Sequence, residues 1–167
     1  RYQPKQFFMG GYSLGGNFCV RVAAVAHEHA LSIDKVVAIC PPIDPFETMH
    51  EIQNGFVAYN WYFLKKWRAS LTKKAEIFPE KYNKQKLLEH KDLAKLTEVL
   101  LGEFGEFESS KQYFDAYALK DDRLQNLQIP TVILLAEDDT IIPHSGSDKL
   151  YRSEYLSIVK SPYGGHC

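Results

Sequence analysis

The stretch from Met9 to Asn17 reads MGGYSLGGN and contains the spacing G-x-S-x-G around Ser13. An apolar run, Gln6 to Met9, precedes the glycines and predicts a buried strand that ends in a sharp turn. From Leu14 to Ala30 the chain is rich in alanine, and its apolar residues recur at helical spacing. A tight turn between a strand and a helix lifts a side chain out of the sheet. The stretch therefore predicts an exposed serine at such a turn.

Three further apolar runs extend this pattern into a sheet. Lys35 to Cys40 is rich in β-branched residues and stops at a Pro-Pro pair, as expected for a strand covered on both faces. The runs Thr131 to Ala136 and Leu156 to Val159 have the same character, and a short helix is predicted over 145–150. Strand, helix and strand in this order form a right-handed βαβ unit. The predicted fold class is α/β, a parallel sheet with flanking helices.

Residues 43–125 contain no clear strand and several helical patterns. We therefore predict a helical cap insertion over 43–125, between two parts of a sheet core at 1–42 and 126–167. The aromatic and leucine stripes in it are typical of a helix core; they comprise Tyr59, Tyr62, Phe63, Trp67 and Leu71, then Leu93, Leu96 and Leu100, then Tyr113, Phe114 and Tyr117. A basic cluster, 65–68 with 73–74, favours a solvated helix face over a site for an anionic or interfacial substrate.

Composition excludes several classes of function. The 167 residues are 45% hydrophobic and 25% charged, with a net charge of −1, which argues against broad attraction to nucleic acid or to an anionic membrane. The three cysteines form no C-x-x-C pair, so neither a disulfide framework nor structural zinc is expected. Cys19 and Cys40 lie in apolar runs and are expected to be buried, while Cys167 is expected to pack. No apolar stretch approaches the roughly 20 residues that span a bilayer.

A serine hydroxyl becomes a good nucleophile only with a general base, normally a histidine oriented by a carboxylate. Asp138 and Asp139 follow the run 131–136, and His166 follows the run 156–159. These residues lie after strands of one parallel sheet, so all three groups should meet at its carboxyl edge. Asp139 begins the pattern D-x-x-x-P that is usual for the acid, so it is preferred to Asp138, for which a turn or capping role remains the alternative.

The same turn supplies further groups. Gly11 and Gly15 would let the backbones pass closely, and the backbone N–H of Leu14 would be an oxyanion-hole donor at the helix N-terminus. The other five histidines show no H-x-x-x-H or H-E-x-x-H pattern, which disfavours a metal hydrolase. Neither a metal nor a cofactor is therefore expected.

Four ordered motifs, 10–17, 40–44, 136–139 and 163–167, together resemble the YheT-like branch of the α/β-hydrolase superfamily, which includes embryogenesis-associated and abhydrolase-domain esterases and lipases. The resemblance implies a serine hydrolase of carboxylic esters, with Ser13 as nucleophile, Asp139 as acid and His166 as base. Its substrate would be a small-molecule or lipid ester.

The resemblance also has a departure. Members of the superfamily have several strands before the strand that leads to the nucleophile, and the loop after an early strand supplies a second oxyanion donor. No such segment precedes Met9 here. We therefore expect a partial α/β-hydrolase fold, the C-terminal catalytic part of a longer enzyme, with a cytoplasmic location as the default. An acyltransferase or thioesterase with the same site, or a non-catalytic binding domain of this fold, remains an alternative.

Overall fold

The computed structural model describes residues 5–104 and 107–166, which fall into two compact units, one ending at Thr48 and resuming at Tyr117, the other Met49–Ala116. The first contains the strands and the second most of the helices. The elements in chain order are β1 Phe8–Tyr12, α1 Ser13–Val25, β2 Lys35–Ile39, α2 Pro45–Asn54, α3 Val57–Ile77, α4 Lys84–Glu89, α5 Leu93–Phe104, α6 Ser110–Ala116, β3 Thr131–Ala136 and β4 Leu156–Ser161, with 3-10 helices at Asp122–Leu124 and His144–Lys149.

The four strands form one parallel sheet in the order β1-β2-β3-β4. β3 has the predicted bounds, β2 ends one residue earlier and β4 continues two residues further. Alternate side chains of the central strands β2 and β3 are buried, among them Val36, Ala38 and Ile133, and α1 packs on β1 and β2. Since Tyr12 pairs with Ile39 and Ala136 with Ser161, the carboxyl ends of neighbouring strands lie level. The residues that follow these ends therefore share one edge of the sheet.

The first strand differs from its prediction. β1 begins at Phe8 rather than Gln6 and includes both glycines, ending at Tyr12. It is also not buried, since the Phe8 side chain is 61% exposed. Within the described chain β1 pairs with β2 alone, so the edge position, and not the apolar character of the run, decides its exposure.

The helix α1 is also shorter than predicted, since it ends at Val25 and not at Ala30. Beyond Val25 the backbone hydrogen bonds tighten to three-residue spacing, as in Glu28 N–H to Val25 C=O. Ala30 then adopts a left-handed conformation with φ 52°, and Leu31 N–H closes the turn on Ala26 C=O. This turn, rather than alanine content, ends the helix.

The helical unit buries some of its predicted stripes and exposes others. Leu71, Leu93 and Leu96 are buried, whereas Tyr59 and Tyr62 lie on the exposed surface of α3. The prediction that the whole first stripe is core was therefore wrong. No helix in the described parts of the chain combines the length and apolarity needed to cross a bilayer.

The basic cluster on α3 is largely engaged within its own unit. Lys65 Nζ lies 4.8 Å from the centroid of the Trp61 ring, and Arg68 donates a 2.6 Å hydrogen bond to His90 C=O. These contacts fit the interpretation of the cluster as a solvated helix face.

Candidate active site

Ser13 stands at the junction of β1 and α1. Tyr12 is the last residue of the strand, and Ser13 is already the first residue of the helix. No loop separates the two elements, so the chain turns within one residue and Ser13 adopts φ 49°. A left-handed conformation costs a non-glycine residue about 1–2 kcal/mol. A turn from strand to helix was predicted from the sequence, and it places Ser13 at the carboxyl edge of the sheet.

The close approach of α1 to β1 depends on glycines, but on a different pair from the one predicted. A Cβ added to Gly11 would lie 2.4 Å from Gly15 C and 2.7 Å from Gly16 N. A Cβ added to Gly16 would lie 2.9 Å from Gly11 C=O, whereas one added to Gly15 would meet no atom of the described residues within 4 Å. Gly11 and Gly16 thus allow the helix to pack on the strand, and the steric role assigned to Gly15 was wrong.

The structure brings Ser13, Asp139 and His166 together at this edge. His166 Nδ1 lies 2.9 Å from Asp139 Oδ2, and His166 Nε2 lies 3.1 Å from Ser13 Oγ. The Asp139 side chain is 1% exposed and that of His166 is 13% exposed. One chain of hydrogen bonds therefore runs from a buried carboxylate through an imidazole to the serine between β1 and α1.

The carboxylate end of this chain is held on both oxygens. Asp139 Oδ1 accepts hydrogen bonds from Ile141 N–H at 2.8 Å and Ile142 N–H at 2.9 Å, which leaves Oδ2 for His166. Burial by itself would raise the pKa of Asp139, but the hydrogen bonds from His166 and from these two amides outweigh it and hold the pKa below its usual value. The group is therefore ionised at neutral pH and can only accept, so Nδ1 of His166 carries the proton and Nε2 is free to accept from Ser13.

The neighbouring Asp138 has a different contact. Its Oδ1 accepts a 2.8 Å hydrogen bond from the backbone N–H of Gly165 and makes no described contact with the His166 ring. Of the two candidate acids, Asp139 alone meets the imidazole. This bond joins two loops that lie 27 residues apart in sequence, so it differs from the local turn or cap considered for Asp138.

The first turn of α1 supplies donors beside Ser13. The leading N–H groups of a helix have no acceptor within the helix, and Leu14 is the second residue of α1. Its N–H therefore lies at the positive end of the helix dipole, directly after the serine. This is the position that an oxyanion-hole donor takes after a nucleophile elbow.

Asn17 was not singled out in the sequence, yet it is fully buried in the second turn of α1. Its Nδ2 donates to Pro42 C=O at 2.8 Å and to Tyr117 C=O at 2.9 Å. A polar residue in the interior of an alanine-rich helix was the available signal, since buried amides are retained where they satisfy backbone groups. Asn17 links α1 to two chain segments far apart in sequence.

Asp44 was also missed as a structural residue. It is 7% exposed; its Oδ2 accepts from Lys120 Nζ at 2.7 Å, and its Oδ1 accepts from Phe46 N–H at 3.2 Å. The second contact caps the start of α2, where a carboxylate is favourable. The position before Pro45 was the sequence signal for this cap.

Other predicted residues lie apart from this chain of hydrogen bonds. Cys19 and Cys40 are buried, as predicted, and Cys167 lies outside the described residues. Burial raises the pKa of the Cys19 thiol, which makes it a poor nucleophile. Nowhere in residues 5–104 and 107–166 do three or more His, Cys, Asp or Glu side chains cluster in a way that could hold a metal ion.

Several solved structures are similar to this chain. The alignment with Candida antarctica lipase A covers 95% of this chain and 44% of the lipase chain, with a TM-score of 0.55 and 13% sequence identity. The alignment with an esterase of Pyrococcus furiosus covers 97% of this chain and 45% of the esterase chain, with a TM-score of 0.51 and 13% sequence identity. The alignment with an α/β-fold hydrolase of Bacillus anthracis covers 96% of this chain and 61% of the hydrolase chain, with a TM-score of 0.52 and 14% sequence identity. The predicted α/β-hydrolase fold is confirmed, and the chain spans about half the length of the first two structures.

Sequence comparison adds a family. No curated protein matches the chain in sequence. A family model, described as "Serine aminopeptidase, S33", matches residues 1–157, which include Ser13 and Asp139. The match covers most of the chain and agrees with the parallel sheet and its structural neighbours. This chain belongs to the Hydrolase_4 family of the α/β-hydrolase superfamily and has a partial α/β-hydrolase fold.

Proposed function

We propose that this chain carries the catalytic site of a serine hydrolase that cleaves carboxylic esters through an acyl-enzyme. The observation that carries the proposal is the chain of hydrogen bonds from Asp139 through His166 to Ser13, at 2.9 and 3.1 Å. A serine needs both a base within reach and a carboxylate that orients the base, and these distances meet both needs. Ser13 is the proposed nucleophile, His166 the base and Asp139 the acid.

In the proposed reaction, Ser13 Oγ attacks the ester carbonyl while its proton passes to His166 Nε2. The carbonyl oxygen becomes an oxyanion that accepts a hydrogen bond from the Leu14 N–H. The imidazolium then gives its proton to the leaving alcohol, and the acyl group stays on Ser13. Water completes the cycle by the same steps, with His166 accepting its proton. Asp139 keeps the proton on Nδ1 throughout and stabilises the imidazolium.

Ester substrates are the first choice because two structural neighbours with TM-scores above 0.5 are a lipase and an esterase. The four ordered motifs named above also support the YheT-like branch, with its esterases and lipases. An acyltransferase or a thioesterase would use the same acyl-enzyme and differ only in the acceptor or in the bond cleaved.

The family description favours a second candidate, an aminopeptidase. The same three residues would then attack a peptide carbonyl, and His166 would protonate an amine leaving group instead of an alcohol. The chemistry of the triad is common to both candidates. Substrate recognition separates them, because an aminopeptidase must also bind the free α-amino group of its substrate.

The test uses the full-length enzyme and a fluorophosphonate probe, with Ser13→Ala as the matched variant. We expect one adduct, at Ser13, and turnover of p-nitrophenyl esters that Ser13→Ala lowers by at least about 10³-fold. Faster turnover of aminoacyl p-nitroanilides than of esters would select the aminopeptidase, and transfer to an added alcohol or thiol would select a transferase. Equal turnover by both forms, or an adduct elsewhere, would contradict the proposal.

A further inference from the structure

The loop that carries His166 is short and has no regular structure. β4 ends at Ser161, and His166 follows five residues later. Neither helix nor strand hydrogen bonds hold this segment, so other contacts must fix the imidazole between its two partners. The backbone of Gly165, directly before His166, is where these contacts converge.

Gly165 is held through both of its backbone polar groups. Its N–H donates to Asp138 Oδ1 at 2.8 Å, and its C=O lies 3.8 Å from Cys40 Sγ, within reach of a weak thiol hydrogen bond. Gly165 also has φ 61°, which turns the chain sharply just before the histidine. A backbone rotation at Gly165 would move the ring of His166. The two contacts of the Gly165 backbone therefore control where the ring lies.

Two consecutive carboxylates thus hold two consecutive residues of the opposite loop. Asp138 bonds the backbone of Gly165, and Asp139 bonds the ring of His166. Both carboxylates follow β3 directly, in the turn that begins where Ala136 pairs with Ser161 of β4. The turn therefore fixes the histidine at two points, its backbone and its ring.

We propose that Asp138 is a positioning residue, which places the His166 imidazole by holding Gly165. This inference rests on the proposed function, since it concerns the base of that same site. Asp138 does not touch the reacting atoms; it acts through the backbone. A displacement of about 1 Å in a reacting group can cost roughly 100-fold in rate, so the loss of this anchor should reduce kcat more than KM.

The Asp138 carboxylate is exposed, whereas Asp139 is buried, which makes the two acids separable by mutation. Removing an exposed side chain leaves no buried cavity and no unpaired buried charge. Asp138→Ala should fold normally and lose only the acceptor for Gly165. Asp138→Asn retains an acceptor oxygen in the same place without the negative charge.

The experiment compares Asp138→Ala and Asp138→Asn with Glu137→Ala in the full-length enzyme. Glu137 is an exposed carboxylate one residue earlier and serves as the matched control. We expect Asp138→Ala to lower kcat and the fluorophosphonate rate by roughly 10- to 100-fold with KM little changed. Asp138→Asn should recover most of this loss, and Glu137→Ala should resemble the wild type.

A second readout does not depend on turnover. Proton NMR detects the Nδ1–H of His166, which the Asp139 hydrogen bond shifts to low field. The signal should weaken in Asp138→Ala and persist in Asp138→Asn, and hydrogen exchange of the Gly165 amide should accelerate in the alanine variant alone. Wild-type enzyme that shows the signal but no turnover and no adduct would contradict the proposed function and leave these structural tests intact.

Two results would overturn the positioning role. One is an alanine variant with unchanged kcat, unchanged low-field signal and unchanged Gly165 exchange. The other is an asparagine variant as impaired as alanine, with the pH profile of kcat/KM shifted in both. That outcome would assign the effect of Asp138 to its charge and not to its hydrogen bond.

Discussion

The turn after β1 and the turns after β3 and β4 meet at one site, but they hold their residues by different means. At Ser13 the backbone itself is constrained, with φ 49° and two glycines without which helix and strand would collide. At Asp139 and His166 the constraint is a set of hydrogen bonds of 2.8 to 2.9 Å. Steric constraints fail abruptly when an atom is added, whereas hydrogen bonds can be exchanged while the fold remains. Added atoms at the turn after β1 should therefore lower stability most, whereas substitutions in the turns after β3 and β4 should lower activity most.

The largest effect on activity is expected at the hydrogen-bonded turn, from Asp139→Asn. Asparagine can still accept from Ile141 and Ile142 with Oδ1, which directs its NH₂ toward His166 Nδ1. The histidine must then accept at Nδ1 and carry its proton on Nε2, where it cannot take the Ser13 proton. We expect kcat to fall by roughly 10³- to 10⁴-fold.

At neutral pH Asp139→Asn should melt only slightly below the wild type, since the contacts with Ile141 and Ile142 are retained and the charge of Asp139 is lost. Steady-state kinetics and calorimetry on the same preparation measure the two quantities together. A variant that loses its fold along with its activity would contradict the contrast between the two regions.

The largest effect on stability is expected at the turn between β1 and α1, from Gly11→Ala. The added Cβ would lie 2.4 to 2.7 Å from backbone atoms of α1, which cannot yield as a side chain can. We expect a loss of about 3 kcal/mol or more, by analogy with overpacking of a tight core. Chemical denaturation of the purified variant gives the free energy of unfolding.

Gly15→Ala is the matched control for this substitution. Its methyl group would enter open space and should raise helix stability by about 0.5–1 kcal/mol. If both substitutions had the same effect, the assignment of the close approach to Gly11 and Gly16 would be wrong.

A smaller effect tests the strain at Ser13 directly. Ser13→Gly should be more stable than Ser13→Ala by about 1 kcal/mol, because glycine adopts φ 49° without the Cβ cost whereas alanine retains it. Both variants lack the hydroxyl, so differences in turnover do not complicate the comparison. Equal melting temperatures would show that the turn at Ser13 stores no measurable strain.

The smallest expected effect is the pH dependence of stability that arises from Asp139, in the turn after β3. Because the pKa of Asp139 is lowered in the folded chain, its contribution to stability is complete above the unfolded value of about 3.9 and is lost as the pH falls through the folded value. The stability difference between wild type and Asp139→Asn should therefore shrink below about pH 4. Denaturation curves through the acid range measure it, and a difference that grows toward low pH would contradict the prediction.

Part of the fold could be predicted from the sequence. The rest depends on which strands and helices pack against one another. The bounds of β3 and the burial of Cys19 and Cys40 follow from unbroken apolar runs. The exposure of β1 does not, because it depends on which strands lie beside it. The role of Gly16 in place of Gly15 was equally inaccessible, since helical periodicity identifies faces but not which backbone atoms will meet.

The sequence by itself determined the parallel α/β fold and the chain order of Ser13, Asp139 and His166, because hydrophobic periodicity and turn residues are local properties. The tertiary structure alone decided that Asp138 holds the backbone of Gly165, because this bond depends on where the opposite loop lies. The D-x-x-x-P pattern favoured Asp139 as the partner of His166, and the structure places it there, whereas no local pattern indicated a partner for Asp138. The strain at Ser13 likewise arises where a strand and a helix join without a loop, which is a consequence of packing.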